Sequence, residues 1–188
     1  MKIWKLDLDV NRYLSVTPLI DFWDVGNPIS DSINRWLDTW HNPVMKIVKD
    51  RRMAEGDVFS YLSMSVCSPK VRGLLGPLVD DQVEWLPIIL ESKRNEHEEG
   101  YAIMHITNLV DGLDFTKAEV KYFPSDPERI MSIPKYAFRE EAVKGQHIFR
   151  ISQMTRGDKL VSDEFRKVVI ENGITGWVFT EVWDSEKE

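Results

Sequence analysis

The chain has 188 residues, 43% of them hydrophobic, with 24 lysines and arginines against 31 aspartates and glutamates. This length and apolar content are typical of one folded domain, and we predict a single domain over residues 1–188. The net charge of −7 argues against direct binding to nucleic acid, which needs a basic face. The single cysteine, Cys67, excludes an intramolecular disulfide and a cysteine-cluster metal site.

The charge is uneven along the chain. Residues 1–94 carry a net charge of −1 and residues 95–188 a net charge of −6, with a dense acidic run at 96–99. Charged residues interrupt the apolar pairs of the N-terminus, and the sequence has no apolar stretch of the roughly 20 residues that span a bilayer. We therefore expect a cytoplasmic protein without a membrane partner.

The first 48 residues predict a strand, a helix and a second strand. Residues 4–10 alternate apolar and polar side chains, which is typical of a strand whose apolar face, ending at Val10, is buried. Ser30-Asp31 then precedes apolar residues at helical spacing over 33–40, so we predict an N-capped amphipathic helix that ends before Pro43. Residues 44–48 are predicted to form the second strand.

The middle of the chain predicts one helix and a series of strands. Ser68-Pro69 marks a helix start, with serine as the N-cap and proline at the first helical position, and Gly76-Pro77 keeps that helix short. Short strands separated by turn-rich segments are predicted over residues 83–90, 101–108, 118–123, 129–133, 136–139 and 147–152.

The C-terminal part gives the clearest pattern. Ser162 or Asp163 is predicted to cap a helix, and Gly173 lies where a left-handed C-terminal cap belongs. Residues 174–183 read as a strand that is apolar on both faces, which predicts a central position. Together the elements predict the α+β class: a single domain with a mostly antiparallel or mixed sheet and a few short helices packed on it.

No arrangement of residues predicts a catalytic or cofactor site. The four histidines (His41, His97, His105 and His147) lack metal-ligand spacing, and the isolated glycines form no phosphate-binding loop. We therefore predict no metal, no cofactor and no enzymatic activity. His105 lies among apolar residues and is predicted to be a hydrogen-bonded buried histidine. A small-molecule enzyme that uses Cys67 and a histidine remains an open alternative, because a helix N-terminus can lower a thiol pKa.

Seven tryptophans are the unusual feature of the composition. The spacing of Trp36 and Trp40 favours core packing. Trp23 could instead anchor a protein interface, since tryptophan is enriched among the residues that dominate binding energy. Aromatic anchors and acidic patches without catalytic residues indicate a protein that works by binding another protein.

Six segments match one protein family by their order and spacing. They are Met1–Leu6, Ile106–Asp114, His147–Ile151, Val161–Phe165, Asn172–Phe179 and Val182–Trp183. Together they resemble a family of bacterial immunity proteins found in polymorphic-toxin systems. The resemblance implies a small cytosolic protein that neutralises a cognate toxin by direct binding and without catalysis, in competition between bacteria.

The matching segments read as scaffold, so the resemblance assigns no functional residue. We predict that residues 22–57 or the acidic loop near Glu96 recognise the toxin, and the acidity suits a toxin whose active-site face is basic. An adaptor or regulatory module that binds a protein unrelated to toxins is the alternative. The candidate toxin-binding residues are Trp23, Asp38, Asp80, Asp81, Glu84, Glu96, Glu98 and Glu99.

Overall fold

A computed structural model describes residues 1–27, 33–48 and 50–187, without the side chains of Trp23 and Val25. Strands make up most of the regular structure of these residues. They are β1 (Lys2–Leu8), β2 (Val16–Pro18), β3 (Val44–Ile47), β4 (Val58–Tyr61), β5 (Met64–Cys67), β6 (Val83–Pro87), β7 (Ile89–Glu91), β8 (His97–Glu98), β9 (Ala102–Ile106), β10 (Leu109–Val110), β11 (Glu119–Phe123), β12 (Asp126–Lys135), β13 (Ile148–Ile151), β14 (Leu160–Ser162) and β15 (Trp177–Asp184).

The α-helices of the described residues are α1 (Pro69–Val79), α2 (Glu140–Val143) and α3 (Asp163–Glu171). The side chain of Ser68 accepts a hydrogen bond from the N–H of Val71, and Ser162 caps α3 in the same way through Phe165. Gly173 follows α3 with a φ of +59°, the left-handed geometry expected after a helix. Local capping chemistry therefore set both helix starts and the end of α3, as predicted. Single-turn 3-10 helices cover Phe22–Val25, Leu37–Thr39, Ser152–Met154 and Ser185–Lys187.

The largest sheet has five strands in the order β10-β13-β14-β1-β15. β1 pairs antiparallel with both β14 and β15, whereas β10 pairs parallel with β13. The predicted central position of residues 174–183 is wrong, because β15 lies at an edge of this sheet. Its two apolar faces have another cause: Trp177 packs into the core under α3, and Trp183 packs into a second core on the other side.

Two four-stranded sheets and one hairpin complete the fold. The strand orders are β2-β3-β7-β8 and β4-β5-β9-β6, and β11 pairs with β12 alone. Parallel pairing occurs between β3 and β7 as well as between β10 and β13. The predicted α+β class with mixed, mainly antiparallel sheets and a few short helices is confirmed.

The N-terminal helix prediction is wrong in its described part. Residues 33–36 are not helical, and only Leu37–Thr39 form a 3-10 turn, while Ser30 and Asp31 lie outside the described residues. The cause is tertiary: the carboxylate of Glu84 accepts the backbone N–H of Trp36 at 2.7 Å, and the indole of Trp40 donates to the carbonyl of Pro87 at 2.8 Å. These bonds hold the segment against β6 and override its helical pattern.

Two strand predictions also need correction. Residues 126–135 form one strand that contains Pro127 and Pro134, and residues 136–139 form no strand beyond an isolated bridge between Leu113 and Phe138. Proline is compatible with a strand at a sheet edge, where its missing N–H faces solvent. Val10, predicted to be buried, is 51% exposed because β1 ends at Leu8.

Candidate functional site

The exposed side of α1 and the adjoining strand β6 form a surface that we call the α1–β6 groove. α1 buries Val71, Leu75 and Val79 in the core, which leaves Arg72 and Gly73 on its outer side. Side chains alternate along a strand, so Trp85 of β6 points to the side of α1 while Glu84 points to the other face. The helix and the strand therefore hold a basic and an aromatic side chain next to each other.

The ring of Trp85 is fixed by two neighbours. Its indole N–H donates to a carboxylate oxygen of Asp80 at 2.8 Å, and the guanidinium of Arg72 lies 5.9 Å from the ring centroid. Arg72 also donates to the carbonyl of Gly100 at 2.9 Å. The half-buried tryptophan is thus held in one orientation before any partner arrives.

Gly100 fixes the approach of the acidic loop to α1. Its φ is +88°, and a Cβ atom at this position would lie 2.9 Å from Cγ of Pro69. Glycine alone combines this backbone geometry with so close a contact. The turn that follows Glu98 and Glu99 is therefore held against the N-terminal end of α1.

Two open cavities lie along this surface and share Asp80. The first, of 320 Å³, is lined by Arg72, Asp80, Trp85 and Gly100 together with Pro69 and Gly73. The second, of 520 Å³, lies at the C-terminal end of α1 and continues past Asp81 to Gly145 and His147. Concave surface is therefore present on both sides of the Asp80 carboxylate.

The structure brings four of the predicted residues to this groove or its rim. Asp80 and Asp81 line the cavities and are exposed. Glu98 and Glu99 are exposed and immediately precede Gly100, a lining residue. Glu96 is exposed in the turn between β7 and β8, where its backbone N–H donates to the hydroxyl of Ser92.

The other predicted residues are not brought together with these four. Glu84 is only 7% exposed, and its carboxylate is engaged by the backbone of Trp36, so it has a structural role and is not available on the surface. Asp38 is exposed in the 3-10 turn Leu37–Thr39. The bond between Trp36 and Glu84 holds this turn against the face of β6 that lies opposite Trp85. Trp23 lies in the 3-10 helix Phe22–Val25, and its side chain is outside the described part of the structure.

Residues 12–184 match the model of the immunity protein family Imm11. The chain belongs to the Imm11 immunity protein family. The match confirms the resemblance to immunity proteins, and it covers α1, β6 and every predicted contact residue. No curated protein matches the chain.

Metal-binding clusters and membrane-spanning helices were sought in the described residues of this Imm11 chain. Among the described residues, no cluster of three or more histidine, cysteine, aspartate or glutamate side chains could hold a metal ion. Within the same ranges, no helix combines the length and the apolarity needed to cross a membrane.

The environment of Cys67 does not favour nucleophilic chemistry. The side chain is fully buried, and burial raises the pKa of its thiol, which disfavours the reactive thiolate. His105, the other residue considered for catalysis, is a buried core histidine as predicted. Its ring stacks on Trp36 with centroids 4.2 Å apart, and its Nε2 lies 2.8 Å from the carbonyl of Asn34.

Trp85 and Arg72 are the residues that the sequence prediction missed. Alternation along residues 83–87 could have separated the side of Trp85 from that of Glu84. The sequence carries no signal that Asp80 would orient the indole or that Arg72 would lie beside it, because these contacts depend on how α1 packs against β6. By contrast, Trp36 and Trp40 belong to or pack against a core cluster, as predicted.

Proposed function

We propose that this chain neutralises a cognate toxin by binding it directly at the α1–β6 groove, with no catalytic step of its own. The observation that carries this proposal is the tryptophan of β6, which Asp80 and Arg72 hold half-buried beside two open cavities. Membership of an immunity family supplies the toxin as the partner. The groove supplies a surface suited to bind it.

The residue types at the groove are those that dominate binding energy in protein interfaces. Tryptophan and arginine are enriched among such residues, which usually lie in well-packed pockets near the centre of an interface. Ordering a side chain on binding costs about 0.5–1.5 kcal/mol. Because Trp85 is already oriented by its bond to Asp80, much of that cost is met before the toxin binds.

The exposed carboxylates near the groove supply the electrostatic part of the proposal. Asp80 and Asp81 lie at one end of α1, while Glu98 and Glu99 lie next to Gly100 at the other. Opposite charges on two partners raise the rate of association more than they tighten the final complex. We infer a toxin with a basic face, which the acidic ends of the groove would attract.

The biological setting belongs to the same proposal. Neutralisation would take place in the bacterial cytoplasm, against a toxin of a polymorphic-toxin system used in competition between cells. The toxin of choice for an experiment is the product of the reading frame next to the gene for this chain. Membership of the family supports an immunity role in general. Neutralisation of the toxin encoded next to this chain is the specific role that we propose.

A titration of toxin activity tests the proposal. Increasing amounts of the chain should abolish the activity in proportion to the chain added, with the endpoint at a fixed molar ratio, and the two proteins should copurify. Loss of toxin activity that continues over time at substoichiometric amounts would mean catalysis. No inhibition together with no copurification would favour the adaptor alternative.

A further inference from the structure

β15 is the longest edge strand without a proline in the described residues, and one β-bulge, between Glu181 and Trp183, interrupts its pairing with β1. It has eight residues and pairs with β1 alone in its sheet. Within the described residues, β8 and β10 have two residues each, β2 ends at Pro18, and β12 contains Pro127 and Pro134. The indole of Trp40 donates to the carbonyl of Pro87 in β6, and Ser60 of β4 forms a bridge with Ser15, the residue before β2.

Proteins usually protect such edges with proline, charge or short length, because the free backbone groups template pairing with another chain. β15 has no proline, and from Trp177 to Val182 its only charged residue is Glu181. The rest are aromatic, valine and threonine residues, which favour strands. Val178 is 44% exposed and Thr180 is exposed, so the edge can be reached from solvent.

The hydrogen bonds of β1 show which backbone groups of β15 point outward. The N–H of Asp9 donates to the carbonyl of Gly176 at 2.9 Å, and the N–H of Leu6 donates away from β15, to Lys159 at 2.8 Å. The direction alternates from residue to residue in an antiparallel pair. The backbone groups of Phe179, which lies opposite Leu6, and of Glu181 therefore face away from β1.

We propose that β15 pairs antiparallel with β15 of a second copy of this chain, around a two-fold axis at Thr180. The axis places Thr180 opposite itself and Val178 opposite Val182 of the second copy. Phe179 then exchanges both of its outward backbone hydrogen bonds with Glu181 of the second copy. Pairs of β-branched side chains directly opposite each other stabilise such a ladder.

The charges on the edge favour a second copy over a strand of the toxin. The carboxylate of Glu181 is already paired at 2.7 Å with Lys2 and with Lys187 of its own chain. In the proposed register each Glu181 faces Phe179, so no like charges oppose each other. A basic strand of the toxin would gain no salt bridge with Glu181, because this carboxylate is already paired. A second copy of the chain has the same neutral edge, so its pairing needs no such salt bridge. The choice of a second copy over the toxin rests on the basic face inferred in the proposed function, whereas the exposed edge of β15 does not.

Charge substitution at the axis tests the pairing. The wild-type protein should have twice the chain mass of 21.9 kDa in light scattering at high concentration. Thr180→Lys and Thr180→Glu should each be monomeric, because the axis brings like charges together, and an equimolar mixture of the two should regain the two-chain mass. Circular dichroism and melting temperature should show that both variants stay folded. Ile170→Lys, on the exposed side of α3, is the matched control and should stay dimeric.

A disulfide tests the register. In a non-hydrogen-bonded antiparallel pair the opposing Cα atoms lie about 4.5 Å apart, so Thr180→Cys should cross-link to itself under oxidation. Val178→Cys should not cross-link, because it faces Val182 of the second copy, and Cys67 is buried. A wild-type protein that stays monomeric up to its solubility limit would overturn the pairing. So would a Thr180→Lys variant that remains dimeric. Neither result would affect toxin inhibition by the folded chain, which is measured separately.

Discussion

The indole N–H of Trp85 lies 2.8 Å from the carboxylate of Asp80, and Trp4 repeats this relationship with Asp163 at 2.9 Å. In each case an arginine lies by the ring, Arg72 at 5.9 Å and Arg166 at 4.2 Å. Trp85 and Asp80 line one of the open cavities along α1. The chain therefore contains a matched pair of tryptophans, one at the proposed binding surface and one for comparison.

Removing the bond that orients Trp85 should weaken toxin binding without unfolding the protein. Asp80→Ala frees the ring and should cost about 1 kcal/mol of binding free energy, about fivefold in Kd. Asp80→Asn keeps an acceptor oxygen and should cost less. Calorimetric titration with the toxin measures both. Equal losses for the two variants would mean that Asp80 acts through its charge and not by positioning the indole.

The acidic loop should control how fast the toxin is captured. Replacing Glu96, Glu98 and Glu99 together by glutamine should lower the association rate by about tenfold at low salt and leave the dissociation rate nearly unchanged. The same neutralisation of Glu119, Asp126 and Glu128 on the β11–β12 hairpin is the control. Stopped-flow kinetics at increasing salt measure the effect. Equal slowing by both triple variants would mean that net charge, not the loop, governs the rate.

Glu84 should matter for stability and not for binding. Its carboxylate holds the backbone N–H of Trp36 at 2.7 Å inside the protein. Glu84→Ala leaves this buried donor without its acceptor and should lower the free energy of unfolding by about 1–3 kcal/mol. Glu84→Gln keeps an acceptor and should lower it less. Denaturant unfolding measures the loss. A folded Glu84 variant that inhibits the toxin poorly would mean that Glu84 contributes to toxin binding.

Acid should destabilise the protein in part through the terminal ion pairs. Hydrogen bonds from Lys187 and Lys2 hold the pKa of Glu181 below its ordinary value, and the backbone N–H of Glu186 lowers the pKa of Asp184. A lowered carboxylate pKa stabilises the fold above the ordinary value of about 4, and this contribution is lost as the pH falls through the lowered pKa. Melting temperatures from pH 7 to pH 2 should therefore fall less steeply for Glu181→Gln with Asp184→Asn. A parallel fall would contradict this.

Cys67 should be inert in the folded protein. The side chain is fully buried and its thiol pKa is raised, so a thiol reagent at pH 8 should modify it only as fast as the protein opens. Mass spectrometry of native and denatured protein measures the difference. Rapid labelling of the native protein, or toxin inhibition lost in a folded Cys67→Ser variant, would restore the enzyme alternative.

Elements that are determined by neighbouring residues in the sequence were predicted correctly. Ser68 and Ser162 each combine a capping side chain with an apolar helical pattern, and both helices begin where these residues predict. The strand over 44–48 was also found near its predicted place. The strand predicted over 83–90 was found in part, because Val83–Pro87 form β6 and Ile89–Glu91 form β7 of another sheet. These elements depend on neighbours in sequence.

The sequence could not predict what depends on distant partners. The segment around Trp36 has a helical pattern, but Glu84 and Pro87 bind it in another conformation. β15 is apolar on both faces because two cores meet it, not because it is central. For the same reason the pairing of Asp80 with Trp85 appears only when α1 packs beside β6. That residues 1–188 form one domain stays a prediction, and coincident unfolding curves from two probes would test it.

The affinity of the toxin for two tryptophan variants tests the central claim most directly. Trp85→Ala should weaken binding by at least about 2 kcal/mol, about 30-fold in Kd, because it removes the anchor of the groove. Trp4→Ala removes a similarly bonded tryptophan elsewhere and should leave the Kd of the folded protein unchanged. Unchanged affinity in Trp85→Ala, or an equal loss in both variants, would contradict binding through the α1–β6 groove.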